Sequence, residues 1–255
     1  MDFIKMLIVI CPLVFLAGLI DAMVGGGGII SLPAYMVAGL PPHLATGTNK
    51  CSSTFGTLLS TFRFMKNKKI HYIAAFTSAG AALVGSPLGA MINMVIDERY
   101  LSYTMLVLLP IIAIFLLFKK DFGENESLQE ENRVKVIVLS ILSGFIIGIY
   151  DGFFGPGTGT FLILIYTGII GFDLITASGN AKVVNLASNV AAFITFALHG
   201  KIVWSIGIPA ALFGIAGNWI GAGLAIKGGK KIIRPMFMLV LALLMVKIGY
   251  DLFLA

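Results

Sequence analysis

The chain alternates long apolar runs with short polar turns. The runs fall near 4–22, 28–40, 44–64, 70–95, 100–118, 134–153, 158–172, 175–198, 202–226 and 234–254. Most approach about 20 residues, enough for a helix of roughly 30 Å, the thickness of a bilayer core. Two are short, 28–40 and 158–172. Each follows a glycine-rich break, "DAMVGGGGIISLP" at 21–33 and "DGFFGPGTGTF" at 151–161. Glycine destabilises a helix interior, so four in a row end one. The pattern predicts an all-α polytopic membrane protein with broken or re-entrant helices and roughly 8–10 transmembrane segments. The number depends on whether the two short segments span or re-enter.

One stretch is strongly hydrophilic, "KKDFGENESLQEENRVK" at 119–135. It reads as a cytoplasmic linker. The predicted organisation is a first transmembrane repeat over 1–118, a linker over 119–133 and a second repeat over 134–255.

The two parts align. At an offset of 130, Asp21 meets Asp151, Gly25 meets Gly155 and Gly27 meets Gly157. A two-residue slip then sets the offset at 132. There "ATGTNK" (45–50) meets "ASGNAK" (177–182), and "GSPLGA" (85–90) meets "GNWIGA" (217–222). This is internal duplication. Each part holds five apolar runs, an odd number, so the second copy is expected upside down relative to the first. One departure is Pro156, which stiffens the second break where the first has Gly26.

Charge placement supports this orientation. If the turn at 63–69 is cytoplasmic, 119–135 and 227–234 share its side. Those regions hold Arg63, Lys66, Lys68, Lys69, Lys119, Lys120, Arg133, Lys135, Lys227, Lys230, Lys231 and Arg234. The other face has Lys5, Arg99, Lys201 and Lys247. Twelve against four is a strong positive-inside bias,. It places both termini outside, whether the short segments span or re-enter.

Composition changes the picture only by exclusion. The chain has 255 residues, 58% hydrophobic and 12% charged. The net charge of +6 lies in short turns rather than in a basic arm, which argues against nucleic acid,. Cys11 and Cys51 sit in apolar runs without a CxxC or Cys/His partner, so neither a disulfide nor a metal site is expected,. No cofactor is implied, and nothing speaks to oligomeric state. The N-terminal run lacks a convincing small-residue cleavage site and reads as a retained helix.

The chemistry lies in the third run of each repeat. In 44–64, Thr46, Asn49, Lys50, Ser53, Thr57 and Ser60 recur at helical spacing and form one polar face,. In 175–198 the face is Ser178, Lys182, Asn185 and Asn189, which align with Thr46, Lys50, Ser53 and Thr57. Asn180 lies beside them. A lysine inside a membrane helix costs about 2.5–3.5 kcal/mol on insertion scales. Two readings stand for Lys50 and Lys182. They bind an anion among hydroxyl and amide donors, or they snorkel or pair with Asp21 or Asp151. The carboxylates also have two readings, braces of the broken helices or carriers of a coupling proton.

Unwound backbone inside a membrane must line a cavity or be buried in protein. Glycines admit a ligand close to the backbone, and the helix that follows starts with partial positive charge. Gly25, Gly26, Gly27, Gly155, Gly157 and Thr158 are therefore candidate anion contacts. The GxxxG pairs Gly85/Gly89 and Gly217/Gly221 are expected to permit close helix packing. His43, His71 and His199 fall at segment ends and read as interfacial, and Trp204 reads as part of an interface belt.

"GLIDAMVGGGGIISLP", "ATGTNKCSSTFGT", "GSPLGA", "GIYDGFFGPGTGTF" and "ASGNAKVVNLASN" together resemble the sulfite exporter TauE/SafE family of transmembrane permeases. The resemblance covers nearly the whole chain outside 119–135. It implies an inner-membrane permease for small anions such as sulfite, thiosulfate or organosulfonates, and points to the same breaks and stripes. The expected function is secondary transport of such an anion by alternating access, with the anion and the lipid bilayer as partners. An anion channel is the alternative. An intramembrane enzyme is disfavoured, because no HExxH, GxSxG or cysteine cluster is present,.

Overall fold

A computed structural model describes residues 2–101, 103, 133–229 and 231–232. Most of the predicted run 100–118, the run 234–254 and most of the linker 119–133 lie outside the described residues. The described residues are helical, with no strand among them.

Helix α1 (Phe3–Val24) stops where the glycines begin. Gly25 takes a left-handed conformation, φ 77°, and its N–H bonds back to the Asp21 carbonyl. Helix α2 (Gly28–Val37) follows. Helix α3 (Pro42–Lys66) starts with proline, whose missing N–H costs nothing at that position,. Helix α4 (Tyr72–Val95) is capped by the His71 ring, which accepts from the Ala74 N–H. Helix α5 (Arg133–Phe153) leads to the second break, where Gly155 and Gly157 have φ of 97° and 82°. Helix α6 (Thr158–Ile165) continues into a π-helical turn, Tyr166–Ile170. Asp173 caps α7 (Leu174–Leu198) by accepting from the Ile175 and Thr176 N–H groups. Helix α8 (Trp204–Gly228) completes the described bundle.

Among the described residues, five helices, α1, α4, α5, α7 and α8, are long and apolar enough to cross a bilayer. Helix α3 matches them in length, and its polar stripe is what lowers its hydropathy. Helix α2 has 10 residues, about 15 Å of helix, half of what a crossing needs,. The breaks therefore yield short helices where the glycine pattern predicts them. Large apolar side chains such as Val84, Ile92, Ile146, Ile208 and Leu212 face outward, while the stripes of α3 and α7 are buried. The protein is an all-α, multi-pass membrane protein.

The packing is reciprocal. Helix α1 lies against α8, and its equivalent α5 lies against α4. Helix α3 packs on α8, and its equivalent α7 packs on α4. The four GxxxG glycines sit at these seams. A methyl group at Gly85 or Gly89 would run into the α5 backbone at Phe145 and Ile149, and one at Gly217 or Gly221 into the α1 backbone at Phe15 and Leu19. Hydrogen bonds repeat the relation. The His71 N–H donates to Asn180 Oδ1 at 2.8 Å, and the Val203 N–H donates to Thr48 Oγ1 at 3.0 Å. At the 132 offset these are one contact made twice, each time across the halves. The two halves thus make the same contact on each other.

Candidate functional site

The two breaks meet. Gly25 packs against the backbone of Gly159 and Thr160, and Thr160 Oγ1 donates to the Val24 carbonyl at 2.8 Å. Glycine is required there, because Gly25 is left-handed and leaves no room for a Cβ,. Beside this crossing lies a small cavity with an open mouth. Its walls come from α1 (Asp21), α3 (Asn49, Lys50, Ser53), α5 (Asp151), α7 (Asn185, Asn189) and α8 (Asn218), with Gly25, Gly155 and Thr158 from the breaks.

Four charges organise this space, and each pairs across the halves. Lys50 Nζ lies 2.7 Å from Asp151 Oδ2 and donates to Asn189 Oδ1 at 3.0 Å. Lys182 Nζ lies 2.7 Å from Asp21 Oδ2. Asn189 in turn donates to Asn185 at 3.2 Å, which fixes its amide. Asp151 also accepts from Thr158 Oγ1 at 2.7 Å and from Ser188 Oγ. Ionised groups are expensive to bury, and pairing with full hydrogen bonding is what offsets that cost. Each pair joins a broken helix of one half to the striped helix of the other. Asn49 and Asn218 add amide oxygens with no hydrogen-bond partner among the described residues. Such unused acceptors in a cavity wall suit a hydrogen-bond donor such as water.

A family model for the sulfite exporter TauE/SafE matches residues 10–248. The chain belongs to the sulfite exporter TauE/SafE family. A probable membrane transporter protein of Haemophilus influenzae is 34% identical over 237 residues, covering 93% of this chain and 92% of that one. The probable membrane transporter protein YfcA of Escherichia coli K12 is 32% identical over 236 residues, covering 92% and 87%. YunE of Bacillus subtilis, also described as a probable membrane transporter protein, is 20% identical over 272 residues, covering 96% of each. No solved structure matches. The protein is thus a multi-pass membrane permease of the TauE/SafE type.

In this TauE/SafE chain the polar stripes divide. Asn49, Lys50, Ser53 and Thr57 of α3, and Asn185 and Asn189 of α7, line the cavity. Asp21, Asp151, Gly25, Gly27, Gly155 and Thr158 join them. Lys182 is fully buried and reaches the cavity only through Asp21. Thr46 and Ser178 do not line it. Their hydroxyls donate to the carbonyls four residues back, at Pro42 and Leu174. Asn180 is committed to the His71 N–H, and Gly26 and Gly157 shape the breaks without lining the cavity. His43 is buried and bonded to Asn93, rather than lying at an interface.

Sequence reasoning missed Ser31, Ser52 and Asn218 as cavity residues. Asn218 carries a legible signal, being an amide inside an otherwise apolar run. Its place within the GxxxG spacing hid it behind the packing role. Ser52 is set by a contact that spacing does not reveal, accepting from the buried Tyr35 hydroxyl at 2.8 Å.

Proposed function

We propose that this permease carries a small sulfur-containing oxyanion, such as sulfite, thiosulfate or an organosulfonate, across the cytoplasmic membrane by alternating access. The single observation that carries this reading is Lys50. It is a buried cation in the wall of a polar cavity, where two broken helices cross. Lys50 has three N–H donors and spends two on Asp151 and Asn189,. The third serves the anion, helped by Asn49, Ser53, Thr57 and Asn185. Inverted repeats with broken helices at the midplane suit a carrier, because two equivalent halves can open the site alternately to each face. The reciprocal contacts between the halves support that arrangement.

Counterflow distinguishes a carrier from a channel. Vesicles containing the purified protein are loaded with unlabelled thiosulfate and diluted into a trace of labelled thiosulfate, with the membrane potential clamped at zero. A carrier accumulates label transiently above its outside concentration. Equilibration without overshoot, at a rate indifferent to the internal thiosulfate, would identify a channel. Sulfite, methanesulfonate, sulfate and phosphate as competitors rank the substrates.

A further inference from the structure

Asp21 and Asp151 occupy equivalent positions, and each takes a lysine from the opposite half. Their surroundings differ. Asp151 accepts from Lys50, Thr158 and Ser188 and is 2% exposed. Asp21 accepts from Lys182 as its one side-chain partner among the described residues, is 15% exposed, and opens onto the cavity. The difference is written in the sequence. Ser188 aligns with Gly56, and Thr158 aligns with Gly28 or Gly26, on either side of the slip. Glycine has no hydroxyl to donate. The two hydroxyls that cage Asp151 therefore have no counterpart at the equivalent positions around Asp21.

We propose that Asp21 is the proton-carrying carboxylate of the permease, taking a proton from the cavity as the anion binds, while Asp151 stays ionised as a fixed brace. This rests on the anion-carrier reading above. Asp21, Asp151, Lys50 and Lys182 sum to zero charge, and the α2 and α8 residues lining the cavity, Gly28, Ser31, Gly214 and Asn218, add none. A monovalent anion entering alone would leave one uncompensated negative charge in a medium of low dielectric, and a dianion such as thiosulfate would leave two. A proton from the water of the cavity, placed on an Asp21 oxygen, removes one of them. Lys182 stays protonated and is released from its partner, so the protonated site offers the anion one net positive charge. The same proton on Asp151 would weaken the hold on Lys50 and strip two hydroxyl donors of their charged acceptor. Proton and anion then move in the same direction, and each tightens the binding of the other by an equal factor.

Proton uptake tests this directly. Purified full-length protein in weakly buffered detergent is titrated with thiosulfate or methanesulfonate, which stay ionised near neutral pH, so any proton bound is bound by the protein. Wild type should take up about one proton per anion. Asp21→Asn, which imitates the protonated acid, should bind the anion with little proton uptake. In vesicles it should exchange anion but lose accumulation driven by a pH gradient, alkaline inside. Infrared difference spectra of the wild type should show a protonated carboxyl band on anion binding, and Asp21→Glu should move it. That variant keeps the charge and guards against a misfolded Asp21→Asn. The proposal falls if binding takes up no proton, if Asp21→Asn still accumulates anion, or if the carboxyl band is absent or unmoved in Asp21→Glu. Absence of anion binding and exchange in the wild type would instead overturn the carrier reading itself.

Discussion

Lys182 is fully buried, and the carboxylate it pairs with lies 161 residues earlier. Nothing in helical spacing announces that partner. The stripe says which face of α7 is polar, but only the packing of the halves says that Lys182 reaches Asp21. Removing one member of a buried pair leaves the other charge uncompensated and costs about 3–5 kcal/mol. Lys182→Met should fall at the lower end, about 3 kcal/mol, because Asp21 keeps contact with the cavity. It should appear as a lowered Tm in detergent, and Lys182→Met/Asp21→Asn should recover most of the loss. An unchanged Tm in the single variant would mean that the pair contributes no stability. The same limit explains Thr46 and Ser178. Their place on the stripe was legible, but a hydroxyl in a helix can satisfy itself on the carbonyl four residues back, and these two do,.

At the scale of the element, most boundaries were legible because each has a local chemical cause. Glycines stop α1, proline opens α3 and Asp173 caps α7. Which helix lies against which was legible only where glycine spacing marks a seam. The seams make a sharp prediction. Gly89→Ala and Gly221→Ala push a methyl into the Ile149 and Leu19 backbones, which have no side chain to swing aside. Overpacking costs about 1–3 kcal/mol where side chains can yield, and these two should exceed that range. Gly80→Ala lies on the same helix as Gly89 with open space around it. It should be neutral or stabilise by up to about 1 kcal/mol. Thermal unfolding of the three variants separates seam glycines from incidental ones. Equal shifts in all three would contradict the packing described.

For the whole molecule, duplication was visible in the aligned motifs, and the reciprocal contacts follow from it. The asymmetry between the halves was readable position by position, as at Ser188 against Gly56, but gained meaning only once Ser188 was seen on Asp151. Orientation in the bilayer is the next consequence. The turns at 63–69 and 199–201 are equivalent at the 132 offset, and inverted repeats would place them on opposite faces. In a background carrying Cys11→Ala and Cys51→Ala, Lys66→Cys should be protected from an impermeant thiol reagent in intact cells, while His199→Cys should react. Reaction of both from outside would contradict inverted repeats.

The central claim is that the crossing of the two breaks holds the anion on Lys50. Equilibrium binding of thiosulfate to purified protein tests it most directly. Loss of a charge-assisted hydrogen bond costs about 1.5–3 kcal/mol, so Lys50→Met should weaken binding roughly ten- to a hundredfold. Lys50→Met/Asp151→Asn leaves no buried charge unpaired and should bind as poorly, which separates loss of the ligand from loss of the fold. Lys66→Met, at the exposed end of α3, should bind like the parent. Parental affinity in a folded Lys50→Met or in the double variant would mean that backbone and hydroxyl groups hold the anion without the lysine, contradicting the assignment of the site.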